Sequence, residues 1–250
     1  MTNHTTIIDL DPDDTARTEA AARFLADSVH KSIVGLVPYS SPKYAGFLRA
    51  ATRPPAPMRT LLVRMAVRDS HLVGAADWRI LPDRLFLNGL TVSERHRGTG
   101  VGRELVADGL RIADSLGLTE LGLDVIADNS AALSLYGRMG FTLTTTTGWY
   151  ELPAGAGSDS GPARATDWPS FRAHHDAYGF GDLTLRLSTG DTSKVRLVGR
   201  TLRSEQPEPA PGVRACARLI GVERITCTAA VPPPGDFSFL CESVRMLRKL

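Results

Sequence analysis

Leu90–Phe141 reads LTVSERHRGTGVGRELVADGLRIADSLGLTELGLDVIADNSAALSLYGRMGF. An apolar strand ends at Val92, and Arg97-Gly98-Thr99-Gly100-Val101-Gly102 then turns the chain. A run with helical apolar spacing follows to about Leu116, where Gly117 suits a C-terminal cap. Glu120–Ile126 reads as a strand, and Asp128-Asn129-Ser130 opens a second helix that closes near Gly140. Glycines let the turn take positive φ and let a ligand approach the backbone. The N–H groups and dipole at a helix start then form an anion site suited to phosphate or pyrophosphate. Arg97 adds positive charge beside it. No Gly-Lys-Ser/Thr follows, so the turn is not a Walker loop. Gly98-Thr99-Gly100 is followed by Val101-Gly102-Arg103, so the dinucleotide spacing GxGxxG fails at its third glycine.

Upstream, Thr60–Arg68, Leu72–Ile80 and Leu85–Val92 read as three strands joined by short hairpin loops. Before them come a strand at Thr5–Leu10, a helix from about Thr15 to Val34, and a proline-rich stretch, Val37–Pro57. That stretch has room for a short helix at Tyr44–Ala51. Downstream, Phe141–Leu152 is β-prone. Three strands before the glycine turn predict an α+β domain with a mixed sheet, not a repeated βαβ. Residues 154–166 read as a linker by composition. The expected organisation is therefore a first domain at 1–153, the linker, and a smaller α+β unit at 167–250. Strands are expected there at Leu183–Ser188, Val195–Leu202, Arg224–Ala230 and Phe237–Met246, with a helix at Gly212–Ile220.

The first domain resembles the GCN5-related N-acetyltransferases. Their pyrophosphate signature, Arg/Gln-x-x-Gly-x-Gly/Ala, is matched by Arg97, Gly100 and Gly102, after an L-x-V pattern at Leu90 and Val92. Their downstream pattern is matched by Asn129, Ala132, Leu135, Tyr136, Gly140 and Phe141. The resemblance covers residues 5–152 and implies an acyl-CoA N-acyltransferase fold with acetyl-CoA as co-substrate. It implies that Leu90, Thr91 and Val92 pair with the pantetheine arm. It places the pyrophosphate on Arg97, Gly98, Thr99, Gly100, Val101, Gly102 and Arg103, with Asn129 helping to hold the cofactor. Tyr136 would protonate the departing thiolate, and a backbone N–H near Leu90 would polarise the thioester carbonyl.

Asp124 is the expected base for the amine, with Asp77, Glu94 and solvent as rivals. Asp124–Phe141 looks much like the ribosomal-protein N-terminal acetyltransferases called RimI, in which a Glu occupies the Asp124 position. Asp is one methylene shorter, so a bridging water enters the expectation. The RimI-like segment points to a peptide or protein α-amine as acceptor. A small amine, including a peptide antibiotic, and a non-catalytic CoA-binding module are the alternatives. The smaller unit could be a degenerate second half of the same fold. Its segment Glu205–Gly212, EQPEPAPG, is acidic and proline-broken, which leaves the catalytic site in the first domain.

Composition narrows the remaining choices. The chain has 250 residues with 29 basic and 27 acidic side chains, so a whole-surface basic field for nucleic acid is not expected. No apolar run approaches the roughly 20 residues that span a bilayer. The N-terminal segment lacks a signal-like apolar stretch, so a cytoplasmic location is expected. Arg outnumbers Lys and Ala, Gly and Pro abound, as in GC-rich bacterial coding sequences. Cys216, Cys227 and Cys241 have no metal-ligand spacing and read as buried small hydrophobes. His174-His175-Asp176 has no accompanying nucleophile motif. His96 reads as a loop-surface side chain. Trp78 and Phe86 could fill the core or line a groove. A homodimer is left open.

Overall fold

The computed structural model describes residues 5–152, 163–204, 206, 211–233 and 236–250. The linker expected at 154–166 lies outside them as far as residue 162. The chain divides into two compact units. One comprises Met1–Val29, Ala45–Thr145 and Val244–Leu250; the other comprises His30–Tyr44 and Thr146–Ser243.

In the first unit, β1 (Thr6–Asp9), β2 (Leu61–Arg68), β3 (His71–Ile80) and β4 (Leu85–Val92) pair antiparallel in that order. Helix α3 (Val101–Ser115) carries the chain to β5 (Glu120–Ile126), which runs parallel to β4. Helix α4 (Ser130–Arg138) follows, then β6 (Thr142–Leu152), whose residues from Thr146 onward belong to the second unit. In sheet order the C-terminal strand β12 (Ser238–Lys249) lies between β5 and β6. The mixed sheet expected from the glycine turn is thus present.

Helix α1 (Thr15–Asp27) is capped by Asp14, whose carboxylate accepts from the Arg17 amide. It stops at Asp27, short of the expected Val34. The Ser28 hydroxyl donates to the Leu25 carbonyl at 2.7 Å and closes the last turn. Helix α2 (Tyr44–Thr52) falls where the short helix was expected.

The core of this unit gathers Trp78, Leu105, Leu121, Leu123, Tyr136 and Phe141. Trp78 is fully buried and therefore a core residue. Its indole lies so close to Gly109 of α3 that a Cβ there would sit 2.1 Å from the ring. Arg64 of β2 also holds α3 to the sheet by donating to Asp108 at 2.6 Å.

The second unit contains β7 (Arg164–Ala165), α5 (Trp168–Tyr178), β8 (Phe180–Arg186), β9 (Thr192–Val198), β10 (Thr201–Ser204), α6 (Pro211–Leu219) and β11 (Arg224–Ala229). β7 through β10 pair antiparallel, α6 follows, and β11 runs parallel to β10. This repeats the order β1-β2-β3-β4-α3-β5. The single strand expected at Val195–Leu202 is two strands, because the chain turns at Gly199, φ +55°. Helix α5 was not expected. Its start is a Trp-Pro pair, and Phe171 is its buried side chain, so its apolar periodicity is faint.

Candidate active site

The parallel pairing of β4 with β5 stops early. It covers Leu85–Leu87 against Leu121–Leu123 and goes no further. On its other edge β4 stays paired with β3 as far as Val92 opposite Gly74. From Gly89 onward, the edge of β4 facing β5 therefore has no strand partner among the described residues. The two strands part there as a slot lined by backbone.

A register shift marks the same place. Asp77 lies opposite Gly89 and Trp78 opposite Leu87, so Asn88 is the extra residue of a bulge. The bulge turns its amide toward Asp77, which accepts from Asn88 Nδ2 at 3.3 Å and from Arg79 Nη2 at 2.8 Å.

The glycine turn lies at the far end of β4. Gly98 and Gly100 have φ of +75° and +91°. Gly100 is the N-cap of α3 and supplies no side-chain cap. The first amides of α3 thus lack both intrahelical and capping partners. A Cβ on Gly102 would lie 3.3 Å from Leu135 and 3.7 Å from Leu90 and Val92. Gly102 therefore brings the helix start against β4 and α4. Arg97 Nε donates to the Val92 carbonyl at 3.2 Å, and its guanidinium is exposed. Arg103 is exposed, and Thr91 and Val101 are buried. His96 Nδ1 lies 2.8 Å from Ser93 Oγ and stiffens the approach to the turn.

On the other strand, Asn129 Oδ1 caps α4 by accepting from the Ala132 amide at 3.1 Å. Its Nδ2 amide keeps its own donors. Tyr136 is 6 % exposed and stacks edge-on to Phe141, with centroids 5.8 Å apart. Burial pushes its phenol well above the ordinary tyrosine pKa. Asp124 lies on β5 just past the last paired residue, exposed and bound at both oxygens by Arg245 at 2.8 Å. Arg245 also sits over the Phe86 ring, 5.4 Å from its centroid.

Leu90–Val92, the Arg97–Arg103 turn, Asp124, Asn129 and Tyr136 thus come from β4, the start of α3, β5 and α4 of one unit. His174 and His175 do not join them. They bond the Phe180 and Gly199 carbonyls and tie α5 to the second unit's strands. Three features near the site went unread in the sequence: the Asn88 bulge, Arg245, and Arg68, which bonds Thr99 from β2. Arg245 stands 121 residues from Asp124, so no local pattern links them.

A backbone-lined slot that ends at bare helix-start amides fits a long arm carrying a diphosphate. Such a site, on a mixed sheet with a parted parallel pair, has the form of an acyl-CoA-binding domain. Comparison with known proteins points to the family: residues 18–141 match the acetyltransferase (GNAT) family. Acetyl-CoA is the acyl donor of that family.

The chain is 38 % identical over 56 residues to the uncharacterized N-acetyltransferase YobR of Bacillus subtilis strain 168. That match spans 22 % of this chain and 23 % of the relative's length. A tandem GNAT protein from the clavulanic acid biosynthesis pathway has a similar fold, with 11 % identity, a TM-score of 0.67, and 98 % of each chain covered. A GCN5-related N-acetyltransferase from Sphaerobacter thermophilus has 15 % identity and a TM-score of 0.60, covering 98 % of this chain and 95 % of its own. The GNAT fold therefore extends over both units.

Proposed function

We propose that this protein transfers an acetyl group from acetyl-CoA to a primary amine, by direct attack in a ternary complex. The observation that carries the reading is the parting of β4 from β5 after Leu87 and Leu123, with the uncapped start of α3 at its end. When bound there, acetyl-CoA supplies the activated acyl carbon. Leu90–Val92 would align the arm by backbone pairing. Arg97–Arg103 would hold the pyrophosphate, with the Asn129 amide as a further donor. A backbone N–H near Leu90 would polarise the carbonyl while the amine attacks its carbon. As the carbon–sulfur bond breaks, Tyr136 would give its proton to sulfur.

Asp124 fits the acceptor side of this scheme. Arg245 donates to both of its oxygens at 2.8 Å, which holds the carboxylate in one orientation. We assign it to orienting the amine and taking the amine's proton through a bridging water. The RimI-like run Asp124–Phe141 favours a peptide or protein N-terminal α-amine as acceptor. The test is thiol release from acetyl-CoA against peptides of varied N-terminus and a panel of small amines, with products identified by mass. Acetylated peptide α-amines are expected. Acetylation of small amines alone would replace the acceptor class. CoA binding without transfer to any amine would leave a binding module.

A further inference from the structure

Arg64 and Arg68 stand four residues apart on β2, and both reach toward α3 or its entrance. Arg64 donates to Asp108 on α3 at 2.6 Å and to Asp9 on β1 at 2.6 Å. Its charge is neutralised within the protein. Arg68 is more buried, at 8 % exposure, and among the described residues its hydrogen bonds go to uncharged groups. Nε donates to Thr5 Oγ1 at 2.7 Å, Nη1 to Thr99 Oγ1 at 3.1 Å, and Nη2 to the Thr99 carbonyl at 3.4 Å. A buried guanidinium is costly without an anion, and buried charges are ordinarily paired.

The placement of those bonds indicates which anion is meant. Two of them end on Thr99, the residue between the two positive-φ glycines. Thr99 Oγ1 in turn donates to the His96 carbonyl at 2.8 Å, so the guanidinium is joined to both sides of the turn. We infer that Arg68 is a positioning residue of the cofactor site, fixing Thr99 and supplying from behind the turn the fixed positive charge that a bound diphosphate neutralises. Exposed Arg97 is screened by water and salt, whereas a charge held at Arg68 acts through protein. This inference rests on the reading of Arg97–Arg103 as the pyrophosphate site.

The test is calorimetric titration of the full chain with CoA at low and high salt, together with melting of the ligand-free protein. Arg68→Met is expected to weaken CoA binding by about tenfold or more and to flatten its salt dependence. Arg68→Lys restores most of the affinity. The ligand-free Met variant melts no lower than the parent, because an unneutralised buried charge has gone. Thr99→Val, which keeps the charge but loses the hydroxyl, loses less affinity than Arg68→Met. Unchanged CoA affinity in Arg68→Met would overturn the inference. So would a lowered melting point with no rescue by Lys, which would make Arg68 a structural brace. Failure of the parent to bind CoA would instead remove the pyrophosphate reading itself.

Discussion

Tyr136 is buried against Phe141, and that burial keeps its phenol protonated through neutral and mildly alkaline pH. A phenol in this state is suited to give a proton and unsuited to take one. Tyr136→Phe should therefore cut turnover by about a hundredfold, the lower range for a lost general acid, with CoA affinity unchanged. Thiol-release kinetics beside calorimetric CoA titration separate the two effects, and undiminished turnover would remove the acid role. Tyr136, Asn129 and the turn glycines were legible because each belongs to a short pattern tied to one local structure. Arg245 and Arg68 were not. Their partners, Asp124 and Thr99, are brought to them by strand order and not by sequence spacing.

Helix α3 depends on one close approach. Trp78 of β3 fills the space that a side chain at Gly109 would need, with ring atoms 2.1, 2.4 and 2.8 Å from the Cβ position. Gly109→Ala raises intrinsic helix propensity, yet it should destabilise the protein by about 1–3 kcal/mol through overpacking. Denaturant unfolding would read this, and a stabilised variant would show that the indole has room to move.

The second unit's strands carry a charge device of their own. Arg224 binds both oxygens of Glu151 at 2.9 and 2.7 Å and holds its carboxyl below the usual carboxylate range. The folded pKa lies below the unfolded one. The stabilisation is therefore complete above the ordinary glutamate pKa and is lost as pH falls through the folded value. Glu151→Gln should flatten the acid side of a melting-temperature profile; an unchanged profile would assign that dependence to other carboxylates. The edges of β2, β4 and β5 could be read from apolar runs and turns. Two features could not. The β9–β10 turn sits inside a continuous β-prone run, and the parting of β4 from β5 depends on a partner strand and not on composition.

The two units share an order of elements but not the feature that makes a CoA site. Strand β4 has eight residues and pairs with β5 over only three of them, Leu85–Leu87. Strand β10 has four residues, and all of them, Thr201–Ser204, pair with Arg224–Cys227 of β11. No unpaired edge is left along β10 for a pantetheine arm. The following helix begins at Pro211, which brings no N–H to its first turn, and the sequence before it is EQPEPA. An incoming diphosphate would meet fewer amides and a repelling charge. We propose that the repeat keeps the scaffold of the fold without an anion site, and one CoA should bind per chain. Gly100→Glu, which puts a carboxylate at the uncapped start of α3 and a side chain at φ +91°, should abolish that binding. Calorimetric titration of both proteins gives the answer directly. A stoichiometry of two, or one site that survives Gly100→Glu, would move CoA binding into the second unit.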